Sequence, residues 1–95
     1  MIMATSTIMK TAMQMKSITL PFTPPTNGLL LARVRAQSTG RAYVQLSNVS
    51  PNMADGYQVA GGFFETAHFA SKGQAITVSG TTNVSDQAYW FVSLG

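Results

Sequence analysis

The sequence predicts an all-β protein, an antiparallel β-sandwich of jelly-roll-like type preceded by an extended N-terminal arm. From residue 17 onward, apolar and polar residues alternate in short runs, which is the period of a half-buried strand. Clusters of Gly, Pro, Asn and Ser separate these runs and are typical of turns. No segment has the length and spacing of a substantial amphipathic helix. We therefore expect an arm over residues 1–16 and one β-sandwich domain over residues 17–95.

The predicted arm is rich in methionine, with five of the six methionines in the first fifteen residues. Methionine is flexible and adapts to irregular surfaces, so this segment is suited to packing against a partner. The candidate docking residues are Met3, Met9, Met13 and Met15. Thr, Ser, Gln and Lys interrupt every apolar run, so neither a signal peptide nor a membrane span is expected.

The first predicted strand of the domain contains Ile18, Leu20 and Phe22, which alternate with polar residues or proline. Pro21 has no N–H to donate to a neighbouring strand, which favours an edge strand or a corner here. The stretch PPTNG that follows is a turn by composition.

The next two runs, GLLLARVRAQ and RAYVQLSN, are predicted to pair as a hairpin across residues 38–40. This register places Val34 opposite Val44 and forms one continuous apolar face. The opposite face carries the candidate interface residues Arg33, Arg35, Arg41 and Tyr43. In this arrangement Arg35 would contact the ring of Tyr43 through a cation–π interaction.

The second half of the domain predicts further short strands. The segment VSPNMADG is expected to be a loop, and the strand YQV follows it. The run FFETAHFA is apolar on both alternation phases, so both of its faces are expected to be covered. In QAITVSG we expect Ile76 and Val78 to point inward, and in AYWFVSLG we expect Trp90 in the core.

The residues that could perform chemistry are few. The acids are Asp55, Glu65 and Asp86, and the one histidine, His68, lies in an apolar run that places it at the core edge or an interface. These residues lack the spacing of metal ligands. Nucleophile elbows and phosphate-binding or dinucleotide-binding glycine motifs are also absent from the sequence. We therefore predict a protein that is not an enzyme and needs no metal or cofactor.

The charge pattern gives only weak support to a third interpretation, a small nucleic-acid binder, so a nucleic-acid partner is not expected. The net charge is +3, but it arises from six basic and three acidic residues rather than from a dense basic stripe. Charged residues make up 9% of the chain, against roughly 25% in ordinary soluble domains. A chain of 95 residues without cysteine has no disulfide to stabilise it, so oligomerisation is the remaining means of stabilising the fold.

The aromatic residues offer an alternative to a structural role. The chain would then be a carbohydrate- or host-receptor-binding module, in which Tyr57, Tyr89 or Trp90 would stack on sugar rings.

Several segments together resemble the small jelly-roll proteins of tailed-phage virions, including fibre head domains and capsid-decorating proteins. The resemblance covers residues 17–95 and lies in ITLPFTPPTNGLL, the small-residue turn after it, FASKGQAITVSG and the closing AYWFVSLG. Trimeric jelly rolls such as the tumour-necrosis-factor and complement-like heads share these motifs.

The resemblance implies a structural role in a virion and a trimer with aromatic-rich strands near its threefold axis. The sequence contains no coiled-coil or collagen-like shaft, which favours a short decorating or head-fibre subunit over a long fibre. The expected partners are further copies of the chain, a major capsid or other virion protein and, in the alternative, a host-surface glycan. The expected location is the virion, after synthesis in the host cytoplasm.

Overall fold

The computed structural model describes residues 15–95, which form two antiparallel β-sheets packed face to face. The strands are β1 (Lys16–Ile18), β2 (Gly28–Ala36), β3 (Gly40–Leu46), β4 (Val49–Ser50), β5 (Met53–Gln58), β6 (Phe63–Ala70), β7 (Val78–Thr82) and β8 (Val84–Ser93). The larger sheet has the order β1-β8-β2-β6-β4 and the smaller sheet the order β5-β3-β7. This arrangement confirms the predicted all-β sandwich, and no stretch of residues 15–95 forms a helix that could cross a membrane.

The predicted hairpin between β2 and β3 is wrong. β2 pairs with β6 and β8 in the larger sheet, whereas β3 pairs with β5 and β7 in the smaller one. The turn at residues 37–39 therefore carries the chain from one sheet to the other. Val34 lies opposite Phe64 and Gln87, and Val44 lies opposite Ala54 and Thr81.

The prediction of which side of β2 and β3 is buried is nevertheless confirmed. Val34 and Val44 are both completely buried, and the alternating residues on the same side of each strand are buried with them. The core consists of Leu30, Ala32, Val34, Ala36, Ala42, Val44, Leu46, Ala54, Ala70, Ile76, Tyr89 and Phe91. The apolar sides of β2 and β3 thus face each other across the sandwich, as the inner faces of two stacked sheets do.

The first strand and the corner after it cover one side of this core. Ile18, Leu20 and Phe22 are partly buried and pack against it, as their alternation predicts. Phe22 forms a bridge with Ile76, and its ring lies 5.2 Å from that of Phe91. The expected edge strand is therefore a short strand, β1, followed by this single bridge.

The segment predicted as a loop before YQV instead contains β4 and most of β5. Asp55 and Gly56 are turn formers by composition, yet both lie in β5 opposite β3. A Cβ atom at Gly56 would lie 2.9 Å from the ring of Phe64 on β6, so this position accommodates the ring closely. Packing between the sheets therefore outweighs the local preference for a turn.

Two inward predictions in the last third of the chain are wrong, and one is confirmed. Ile76 is completely buried as expected, but Val78 is 37% exposed. Val78 lies opposite Leu46 beside a register irregularity in β3, which disrupts the alternation that places Ile76 inward. Trp90 lies on the outer side of β8, because its neighbours Tyr89 and Phe91 occupy the inner side.

The predicted arm falls mostly outside the described residues. Met3, Met9 and Met13 lie there, and Met15 is the first described residue and is 43% exposed. Lys16 already belongs to β1 and lies opposite Phe91, so strand pairing begins one residue before the predicted start of the domain.

Candidate functional site

The two outer faces of the sandwich differ in chemistry. On the smaller sheet, Arg41, Tyr43, Gln45 and Asp55 point outward, as is normal for a sheet face that contacts water. The guanidinium of Arg41 donates to both carboxylate oxygens of Asp55, with Nε–Oδ1 and Nη2–Oδ2 distances of 2.9 and 2.8 Å. It also lies 4.8 Å from the ring centre of Tyr43. This face is therefore polar, and its main charges pair with each other.

The ion pair between Arg41 and Asp55 shifts both titrations. The hydrogen bonds and charge of Arg41 lower the pKa of Asp55 below its ordinary value, and Asp55 raises the pKa of Arg41. Arg41 thus has its carboxylate partner within its own chain.

The outer face of the larger sheet is mostly apolar. Because inward residues alternate with outward ones on β2, β6 and β8, the outward set follows from the strand register. It consists of Leu29, Leu31, Arg33, Arg35, Phe63, Glu65, Ala67, Phe69, Asp86, Ala88, Trp90 and Val92. We call this set the large-sheet face. Phe63 is 43% exposed and Phe69 is 69% exposed, and no strand of residues 15–95 covers them.

One end of the large-sheet face holds an aromatic and arginine cluster. The guanidinium carbon of Arg33 lies 4.8 Å from the ring centre of Phe63 and 5.3 Å from that of Trp90. Arg35 lies 5.6 Å from the ring centre of Phe63 and donates from Nη1 to the carbonyl oxygen of Gly61 at 2.5 Å. We call Arg33, Arg35, Phe63 and Trp90 the arginine cluster.

The charges beside the arginine cluster balance. Arg33 Nη2 lies 3.5 Å from a carboxylate oxygen of Glu65, and Arg35 lies opposite Asp86 in the register of β2 and β8. Arg33 Nε is buried and has no hydrogen-bond partner among residues 15–95. The large-sheet face therefore carries two cations and two anions within a mostly apolar surface, a pattern unlike the uniform basic stripe of a nucleic-acid binder.

The structure separates the four candidate interface residues into two pairs. Arg33 and Arg35 lie together on the larger sheet, and Arg41 and Tyr43 lie on the smaller one. The predicted contact between Arg35 and Tyr43 is wrong, because β2 and β3 lie in different sheets and do not pair with each other. Tyr43 instead contacts Arg41, and Arg35 contacts Phe63.

The three candidate stacking aromatics have different surroundings. Tyr57 is 77% exposed on the smaller sheet, and Trp90 is half-buried in the arginine cluster. Tyr89 is only 6% exposed, its hydroxyl donates to the side-chain oxygen of Gln87, and burial raises its pKa to about 12. Its ring belongs to the core and does not offer a surface for stacking.

His68 is completely buried between the sheets, deeper than its expected place at the core edge. Its Nδ1 donates to the carbonyl oxygen of Pro51 at 2.5 Å, because a carbonyl oxygen can only accept, and its Nε2 is hydrogen-bonded to the hydroxyl of Thr66 at 2.7 Å. Both ring nitrogens are therefore satisfied by the fold. No group of three or more metal-ligating side chains occurs among the residues that the structure describes.

Sequence reasoning missed that the outer side of β2 contributes to an apolar face. A signal was present in the run Leu29, Leu30 and Leu31, which is apolar on both alternation phases. FFETAHFA shows the same property, and Phe63 and Phe69 provide the outward apolar side chains of that strand. Comparison with known proteins finds no matching family model, no similar curated protein and no similar solved structure.

Proposed function

We propose that this protein is a non-enzymatic structural subunit that assembles with further copies of itself through the end of the large-sheet face that holds the arginine cluster. The observation that supports the proposal is the contrast between the two outer faces. The smaller sheet presents paired charges, and the larger sheet presents Leu31, Phe63 and Trp90 around two arginines.

The composition of the large-sheet face is that of an interface rather than a solvent face. Monomeric proteins rarely expose continuous apolar patches of more than a few hundred Å². Aromatic residues and arginine are enriched at the centres of protein interfaces. Arg33 stacks between Phe63 and Trp90, and such a flat, weakly hydrated cation can be buried against a second surface.

A second copy of the chain fits the charges of this face. Arg33 and Arg35 lie beside Glu65 and Asp86, so the face carries equal numbers of positive and negative groups. When three copies meet around a threefold axis, the acids at one part of this face can therefore lie against the arginines at another part of the face on the next copy. A uniformly acidic or basic partner would face like charges. Charge complementarity thus favours self-association.

The resemblance to small jelly-roll proteins of tailed-phage virions supports the biological setting of the proposal. In that setting the protein is a capsid-decorating or head-fibre subunit, the assembly is a trimer, and it is located on the virion. The methionine-rich segment before β1 docks it on a major capsid protein or another virion protein.

Light scattering of the purified full chain tests the self-assembly. We expect a mass of three times 10.1 kDa for the natural chain. Replacing Trp90 with Ser removes a central aromatic contact and should lower the mass toward that of one chain. Tyr57→Ser is the matched control, because Tyr57 is an exposed aromatic on the other sheet and its loss should leave the mass unchanged.

A monomeric natural chain, observed well above micromolar concentration, would contradict the proposal. An oligomer that persists in Trp90→Ser but dissociates in Tyr57→Ser would contradict the assignment of the face. Circular dichroism of each variant shows whether a change of mass reflects assembly or loss of the fold.

A further inference from the structure

A shallow groove lies at the corner of the larger sheet, at the end opposite the arginine cluster. Asn48, Val49, Ser50, Phe69, Ser71 and Gln74 line it, and its volume is about 350 Å³. Phe69 and Phe63 are six residues apart on β6, which separates the groove from the arginine cluster by roughly 20 Å. The groove is thus a site distinct from the cluster, and its size is at the lower end of the range for small-ligand pockets.

Phe69 and Val49 form the apolar surface of this groove, and Phe69 is the more exposed of the two. The ring of Phe69 is therefore the main apolar surface that a ligand could contact. It is 69% exposed, more than any other phenylalanine that the structure describes. Ser50 lies directly opposite Phe69 in the register of β4 and β6, which places a hydroxyl beside the ring.

The rim of the groove is polar and carries no charge. The side chains of Ser50, Ser71 and Gln74 make no hydrogen bond to another side chain or to the backbone within residues 15–95, so their donors and acceptors are available. Lys72 is part of the same loop but does not line the groove. A charged ligand such as a phosphate or a nucleic acid would therefore find no counter-charge in the lining.

Hydrogen bonds hold the groove in shape without a ligand. Two backbone N–H groups join the loop over residues 71–75 to the turn before β2. Lys72 N donates to Asn27 Oδ1 and Gly73 N donates to the carbonyl oxygen of Pro24, both at 2.9 Å. On its other side, Asn48 Nδ2 donates to Ala75 O at 2.6 Å. Because the site is formed in advance, binding would not need to order the loop.

We propose that this groove binds a neutral sugar ring, with Phe69 stacked on the apolar C–H face of a pyranose. The amide of Gln74 and the hydroxyls of Ser50 and Ser71 would bond the hydroxyl edge of the same ring. A pyranose has one flat apolar face and a rim of uncharged donors and acceptors, which matches the two parts of the groove. This role is separate from self-assembly and gives the assembled subunit a surface that recognises glycans.

Amide-resolved NMR of the full chain tests the proposal. Methyl β-glucopyranoside, methyl β-galactopyranoside and N-acetylglucosamine are each added to millimolar concentration, because one sugar ring buries little surface and binds weakly. We expect at least one of them to shift the amide signals of Ser50, Phe69 and Gln74. Erythritol, which has hydroxyls but no ring face, should leave these signals unchanged.

Variants identify the stacking residue. Phe69→Ala should abolish the shifts, while Phe69→Tyr keeps an aromatic ring and should retain them. Tyr57→Ala is the matched control, because it removes an even more exposed aromatic ring from the other sheet and should have no effect.

Three results would overturn the proposal. The first is the absence of shifts with all three sugars, and the second is a set of shifts that maps to Tyr57 instead. The third is a lower solution mass of Phe69→Ala than of the natural chain, which would place Phe69 in the contact between subunits. Self-assembly through Trp90 would stand under the first two results, so failure of the sugar site and failure of assembly are distinguishable.

Discussion

At the scale of single residues, the ion pair between Arg41 and Asp55 is the closest salt bridge in the described part of the chain. Its two hydrogen bonds are in the bidentate geometry that favours arginine over lysine, and Tyr43 supports the guanidinium from one side. Arg33 and Glu65 approach only to 3.5 Å through a single nitrogen. The two pairs therefore differ in how strongly their geometry couples the charges.

Asp55 should make stability depend on acidic pH. Its pKa is lower in the folded protein than its ordinary value of 3.8, because the charged form accepts hydrogen bonds from Arg41. The stabilisation is thus complete above about pH 3.8 and is lost as the pH falls through the lower folded value. We expect Asp55→Asn to reduce the urea midpoint near neutral pH and to flatten its fall below pH 4.

Glu65→Gln is the control for this measurement, because it removes the same charge from the longer contact. Its urea midpoint at neutral pH should change less than that of Asp55→Asn. Equal midpoints for the Asp55→Asn variant and the natural chain at neutral pH would show that the bidentate pair contributes nothing to folding, as many exposed ion pairs do not.

At the scale of strands and turns, the sequence predicted the buried faces of β2 and β3 correctly and their pairing incorrectly. Burial of Val34 and Val44 is expected in a hairpin with one shared face, and equally in two strands whose apolar faces meet across a sandwich, which is the arrangement observed. Alternation alone gives the same residue pattern for both. The direction of the turn depends instead on Ala36 N bonding Gly62 O and on Gln37 N bonding Asn83 O. Those partners lie 26 and 46 positions along the chain, beyond the reach of local patterns.

In the candidate site, too, alternation predicts the side of the strand on which a residue lies but does not predict its partners. The outward position of Arg33 and Arg35 follows from the alternation of β2 and is confirmed. Their ring partners, Phe63 and Trp90, come from β6 and β8, whose places beside β2 are a property of the whole sheet. For β2, alternation therefore predicts which side chains face outward, but it does not predict which side chains of the neighbouring strands they meet, and Trp90 was expected in the core.

Asn83 joins the turn after β2 to the turn before β8. Its Oδ1 accepts from the backbone and side chain of Ser38, and its Nδ2 donates to the carbonyl oxygens of Ser38 and Arg41. Its backbone has a φ of 58°, a left-handed conformation that asparagine tolerates better than most residues. A single side chain thus fixes the point where the chain passes between the sheets.

Two substitutions of Asn83 separate the contribution of its side-chain hydrogen bonds from that of its left-handed backbone conformation. We expect Asn83→Gly to lower the free energy of unfolding by about 1–3 kcal/mol, because the side-chain hydrogen bonds are lost while the left-handed conformation remains easy to adopt. Asn83→Ala should cost about 1 kcal/mol more, since alanine also disfavours that conformation. Urea unfolding of both variants measures the difference. Equal stability of the glycine variant and the natural chain would show that the amide contacts do not hold the turn.

At the scale of the whole molecule, the described residues contain two sheets and a buried core between them. The buried core extends from Leu30 to Phe91, and Ile18, Leu20 and Phe22 complete its packing near the first strand. The eight strands that form the two sheets all lie within residues 15–95. The role of the N-terminal segment is therefore testable by deletion.

Deleting residues 2–14 should leave the sandwich folded and self-associating, because Lys16 and the strands after it are retained. Under the proposed function, the same deletion should abolish attachment to the particle, since the methionine-rich segment is the docking element. Circular dichroism and light scattering measure the first expectation, and cosedimentation with particles that lack the subunit measures the second. Loss of the β-sheet signal would show that the segment is part of the fold, and undiminished cosedimentation would place docking on the sandwich itself. A folded oligomer that no longer binds would assign assembly to the sandwich and attachment to the arm.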